Sequence, residues 1–127
     1  MTDECIASDV FDRLRKATAN NPAELGGLCR DYLTEGRRTL ANLRTAMLDG
    51  QADQLSYHAH YLKGSSQIVG ATAVTRYCVA LEEMGRKNDF AGAEQLLQQV
   101  ASALDSVEAE LTRKLADSAP PAKGSAA

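Results

Sequence analysis

The chain has 127 residues, 44% of them hydrophobic, which suits one packed domain. Its 14 Lys and Arg are interspersed with 17 Asp and Glu for a net charge of −3, leaving no basic field for nucleic acid and no polybasic run for an anionic membrane. Met-Thr-Asp-Glu-Cys at the start lacks the cationic and apolar regions of a signal peptide, and no run nears the roughly 18 apolar residues of a membrane span, so a soluble, cytoplasmic protein is expected.

The prolines stand at 22, 120 and 121, so the interior 23–119 is free of the ring that breaks helices. Ser8 is expected to cap a short first helix ending near Asn20, where Asn20-Asn21-Pro22 marks a turn. Asn21 caps the second helix, with Pro22 at its first position and Glu24 three residues after the cap, and Asp49-Gly50 stops it. A third helix is expected over about 52–69, closed by Gly70, a fourth over about 72–87, closed by Asn88-Asp89, and a fifth over about 90–116. This divides the chain into a domain over 1–117 and a Pro- and Ala-rich tail over 118–127, which has nothing to bury and is expected to be disordered.

Apolar positions alternate steps of four and three in each long helix. The seams read Cys29, Leu33, Gly36, Leu40, Leu43, Met47 in the second helix and Leu55, Ala59, Leu62, Ser66, Val69 in the third. Val74, Cys78 and Leu81 follow in the fourth, and Phe90, Ala93, Leu97, Val100, Leu104, Val107 and Leu111 in the fifth. Four such seams with short connections predict an all-α fold, an antiparallel four-helix bundle with a short additional N-terminal helix covering one end. Cys5, Cys29 and Cys78 are odd in number and lack a C-x-x-C spacing, which argues against a disulfide framework or a zinc knuckle; Cys29 and Cys78 read as small core residues.

Both histidines lie in the third helix. Two residues along a helix is roughly 200° around it, so His58 and His60 point apart and cannot chelate one metal ion. With His60 at zero, Asp53, Ser56, Lys63, Gly64 and Gln67 fall within roughly 60° of it, and Leu55, Ala59, Leu62, Ser66 and Val69 lie on the opposite half. His60 thus occupies a narrow polar window in a helix expected to be enclosed over most of its circumference, and His58 reads as a core-edge imidazole satisfied by hydrogen bonds. Tyr57, Tyr61 and Ile68, on one flank, read as core neighbours; the alternative is a partner-docking strip beside His60 formed by Ser56, Tyr57, Tyr61 and Ile68. Ser65 and Ser66 point to the far side as small packing residues, bonding back to the i−4 carbonyl.

Gly64 is one turn after His60 on the same face, and helical side chains lean toward the N-terminus, so any side chain there would cover the imidazole. A mid-helix glycine costs about 1 kcal/mol relative to alanine and needs a compensating reason. Lys63 is placed to swing an ammonium over the same opening. Imidazoles titrate near neutrality, and a neutral ring nitrogen is a competent nucleophile toward phosphorus, so this arrangement suits a phosphoryl group.

At His60-Tyr61-Leu62-Lys63-Gly64-Ser65-Ser66, followed by Gly70-Ala71, the chain resembles the histidine-containing phosphotransfer (HPt) domains of two-component phosphorelays. Leu48-Asp49-Gly50 with Leu55 upstream, and Tyr77-Cys78-Val79-Ala80-Leu81-Glu82 downstream, are similar to the family pattern; the likeness covers about residues 8–116. Tyr57 and Tyr61 are bulkier than the pattern suggests. The resemblance implies that His60 takes a phosphoryl group from a receiver-domain aspartyl phosphate and passes it to another receiver. Lys63 would steady the group, Gly64 give it room and Gln67 bond it from the next turn. It implies as partners response-regulator receiver domains and a hybrid histidine kinase, a monomeric protein, and no cofactor or metal of its own, the Mg²⁺ belonging to the receiver. An autophosphorylating kinase would need a nucleotide loop that is absent from the sequence. The competing function is a non-catalytic adaptor that binds receiver or kinase domains without phosphotransfer, and the costly Gly64 beside His60 and Lys63 argues against it.

Overall fold

The computed structural model describes residues 5–118. Five helices follow in order: α1 (Ser8–Ala17), α2 (Pro22–Leu48), α3 (Ala52–Val69), α4 (Thr72–Lys87) and α5 (Ala93–Ser118). Helix α2 packs on α3 and α5, and α4 packs on the same two, which closes a ring of four; α1 lies against α3. The joints at 49–51, 70–71 and 88–92 are short, so successive helices of the ring run antiparallel. Leu43, Leu55, Leu62, Leu81, Leu97, Leu104 and Leu111, all from the predicted seams, are fully buried in one core, each contributing about 1.5–3 kcal/mol over exposure. Cys29 and Cys78 are buried there as free thiols. No helix among the described residues is long and apolar enough to cross a membrane.

Helix ends follow local chemistry, with two corrections. The Asn21 side chain accepts from the backbone N–H of Ala23 and Glu24 at 3.0 and 3.1 Å, as an N-cap should. In α1, however, Ala7 holds the cap position and Ser8 is the first helical residue, because the segment before it is fixed from outside: Ala7 N–H donates to Gly70 O at 2.8 Å and Ile6 bridges Ala71. Gly70 has φ of 83° and would bring a Cβ within 3.1 Å of the Ala7 carbonyl, so only glycine fits both the turn and the contact. Helix α1 ends at Ala17 rather than near Asn20, since Ala19 and Asn20 both take positive φ. Helix α5 starts at Ala93, not 90: Asp89 accepts from Ala91 N–H at 3.0 Å and Gly92 turns at φ 84°, leaving Phe90 in the loop, packed on the core. The tail expected over 118–127 lies outside the described residues except for Ser118, the last residue of α5.

Two contacts set where α3 sits. Ser66 does not bond back to its own helix; its hydroxyl meets Tyr32 OH of α2 at 2.7 Å in the core. Ser65 does bond back, to Leu62 O at 3.2 Å, three residues earlier rather than four. On the other side α3 and α4 touch backbone to backbone: a Cβ on Gly85 would stand 2.6 Å from Ser56 N and 2.7 Å from Ala52 O.

Candidate functional site

The close α3/α4 approach brings a carboxylate from α4 under the polar face of α3. His60 is 68% exposed, yet its Nδ1 is 2.9 Å from Oε2 of Glu82, a side chain only 8% exposed. The other carboxylate oxygen, Oε1, is 2.9 Å from Lys63 Nζ, and Arg86 Nη1 reaches Oε2 at 3.1 Å. The Lys63 ammonium, foremost, holds the Glu82 carboxyl below the usual carboxylate range; burial opposes the shift and the His60 contact reinforces it. An ionised carboxylate only accepts hydrogen bonds, so Nδ1 is the donor. In the neutral ring that tautomer leaves the lone pair on Nε2, the nitrogen turned to solvent.

One turn after His60, a Cβ built on Gly64 meets nothing within 4 Å. The space over the imidazole is open, and glycine is not required there by packing. The thiol nearest this site is not a competing nucleophile: burial first, and then the Glu82 charge, push Cys78 up to about 12. Among the described residues no group of three or more His, Cys, Asp or Glu is placed to hold a metal ion.

The Hpt domain model matches residues 27–110. The chain belongs to the Hpt domain family. It is 27% identical over 94 residues to multistep phosphorelay regulator 1 of Schizosaccharomyces pombe, an alignment that covers 73% of this chain and 32% of the relative, so the chain spans about a third of that protein's length. Its fold is like that of histidine-containing phosphotransfer protein B (HptB) from Pseudomonas aeruginosa PAO1, with a TM-score of 0.83 at 23% identity, covering 91% of this chain and 98% of the other.

The expected residues of the Hpt domain are brought together only in part. His60, Lys63, Gly64 and Gln67 share one face as the spacing predicts, with Gln67 exposed. Lys63 is not a free cation: it is 24% exposed and held by Glu82. The flank expected in the core is open, since Tyr57, Tyr61 and Ile68 are all more than half exposed, and α3 buries only its seam. Helix α3 packs against α2, α4 and α1, and its remaining side faces solvent outside the ring. Ser56 is separate from that strip: half-buried, with its backbone against Gly85. His58 is half-buried as expected, but its contact is the edge of the Tyr57 ring, centroids 5.1 Å apart, and it makes no hydrogen bond among the described residues.

Glu82 is the residue that spacing alone did not assign. Its signal was present: it stands four residues after Cys78 and next to Leu81, on the buried stripe of α4, where a carboxylate needs cationic partners. Because Glu82 has a lowered folded value, its pairing stabilises the fold above pH 4.5 and is lost as pH falls through that lowered value. Glu82→Gln should therefore flatten the decline in unfolding free energy below pH 4.5, read by urea denaturation across a pH series. An equally steep decline in the variant would assign the acid sensitivity elsewhere.

Proposed function

We propose that Nε2 of His60 accepts a phosphoryl group from the aspartyl phosphate of one receiver domain and gives it to the aspartate of another. The lone pair on Nε2 forms the N–P bond while the P–O bond to the aspartate breaks, and the aspartate leaves as carboxylate with the bonding electrons. The ring gains positive charge in that step, and Glu82, accepting from Nδ1–H, opposes it as a buried carboxylate steadies an imidazolium. Lys63 and Gln67 bond the phosphoryl oxygens, and Gly64 leaves them room. The Mg²⁺ and the acidic pocket are the receiver's. The phosphate originates on a hybrid histidine kinase, and the protein acts as a cytoplasmic monomer without kinase activity of its own.

The observation that carries this reading is the exposed His60 whose Nδ1 is tied to a nearly buried carboxylate while the space above it is open. The receiver rests on the flank beside it. Tyr57 and Tyr61 lead from His60 to a groove of about 210 Å³ between α2 and α3, lined by Leu28, Tyr32, Tyr61 and Ile68 and edged by Asp31 and Glu35. Incubation with a phosphorylated receiver should confer an acid-labile, base-stable label, and ATP alone should confer none. Labelling by ATP alone would replace relay with autophosphorylation.

Clearance at Gly64 has its own test. Gly64→Ala should raise stability by roughly 0.5–1 kcal/mol, because alanine is the better helix former and its Cβ touches nothing within 4 Å. Gly64→Leu should keep the fold but slow transfer, since its side chain leans back over the ring. Thermal unfolding and transfer rates read the two effects; an unimpaired Gly64→Leu would remove clearance from the mechanism.

A further inference from the structure

Glu82 has more partners than holding a histidine requires. Lys63 occupies Oε1 at 2.9 Å, while His60 Nδ1 and Arg86 Nη1 share Oε2 at 2.9 and 3.1 Å. The other guanidinium nitrogen of Arg86 binds Glu83 Oε1 at 2.9 Å, and Glu83 Oε2 lies 3.4 Å from Lys87 Nζ. The pairs therefore form a chain, Lys63 to Glu82 to Arg86 to Glu83 to Lys87. It begins beside His60 and ends on the last turn of α4. The Arg86 side chain, 58% exposed, has room to move, whereas Glu82 does not.

A phosphoryl group on His60 would bring close to two negative charges to this cluster. Lys63 is the cation whose stem shares the His60 face, and it cannot serve the phosphoryl oxygens and Glu82 Oε1 equally. If it turns to the phosphate, Oε1 loses the only partner it has among the described residues, in a place where water scarcely reaches it. A guanidinium fork spans both oxygens of a carboxylate, and a lysine cannot.

Resting on the reading that His60 is phosphorylated, we propose that Arg86 is a positioning residue for the phosphorylated state. As Lys63 moves to the phosphoryl group, Arg86 closes its fork over both oxygens of Glu82, and Lys87 retains Glu83. Each carboxylate keeps a cation, and His60 keeps its Nδ1 acceptor.

The test is a double-mutant cycle on the equilibrium partition of phosphate between a receiver domain and this protein. Arg86→Gln and Arg86→Lys should each lower the phosphorylated fraction constant roughly fivefold or more, lysine failing to rescue because it lacks the fork. In a Lys63→Ala background, where there is no lysine to exchange, Arg86→Gln should change the constant by less than about twofold. Rescue by Arg86→Lys, or an equal cost of Arg86→Gln in both backgrounds, would overturn the exchange while leaving the wild-type chain labelled. A wild-type chain that takes no label from any receiver would overturn the His60 reading and this inference with it. Thermal unfolding of each variant establishes that the substitutions at Arg86 and Lys63 leave the bundle folded.

Discussion

His60→Gln should abolish the acid-labile label acquired from a phosphorylated receiver, and His58→Gln should leave it intact. Glutamine keeps a donor that can reach Glu82, so the bundle and the Glu82 cluster persist while the ring nitrogen that would form the N–P bond is gone. The loss should be complete rather than partial, because no thiol among the described residues lies ready to replace the imidazole: Cys29 and Cys78 are buried, with burial as the main cause holding their thiols at about 11 and about 12, and burial raises the half-buried Cys5 as well. His58 points the other way, half-buried with its ring against the edge of Tyr57 and its rim formed in part by Asn42, Thr45 and Gln54. Label surviving in His60→Gln would sink the assignment, and label lost in a folded His58→Gln would transfer it to the wrong face of α3.

Gly85→Ala should lower both stability and transfer, although it touches no reacting atom. Its new Cβ would stand 2.6 Å from Ser56 N and 2.7 Å from Ala52 O, backbone atoms that no rotamer change can clear, so α3 and α4 must separate. Overpacking of this kind costs about 1–3 kcal/mol, on the order of 4–10 °C in melting temperature for a domain of this size. Glu82 sits one turn before Gly85 on α4, and its two 2.9 Å contacts to His60 and Lys63 cross the same interface. Separation therefore stretches the contacts that select the His60 tautomer, and the transfer rate falls with the stability. Gly64→Ala is the control, one Cβ added to the same helix pair in open space, with the opposite sign on stability. A Gly85→Ala protein with unchanged melting and transfer would show that the helix spacing is not set there.

Much of the architecture was legible because it is local. Helix boundaries at Asn21, Gly50, Gly70 and Asn88 follow from caps and left-handed residues that act within one turn of the chain. The seams follow from the helical period, which is why the buried leucines from Leu40 onward are those the spacing selects, while Leu14 and Leu25 are buried outside the named seams. The failures also share a cause. Ser8 is displaced from its capping role by the backbone bond of Ala7 to Gly70, sixty-three residues away, and Ser66 turns from its own helix to Tyr32 on another. In both cases the local role that the sequence suggests gave way to a partner distant in sequence.

The same division holds at the site. Helical geometry alone determined that His60 and His58 point apart, that His60, Lys63, Gly64 and Gln67 share a face, and that Gly64 leaves the ring uncovered, since all of these are angles and offsets within α3. Only tertiary packing decided the rest: the place of α3 in the ring leaves Tyr57, Tyr61 and Ile68 facing solvent, and its packing against α4 holds Lys63 and brings Nδ1 to Glu82. The last two contacts depend on how near two helices lie. That distance is set at Gly85, where the absence of a side chain lets backbone meet backbone and puts a nearly buried carboxylate within hydrogen-bond reach of an exposed imidazole.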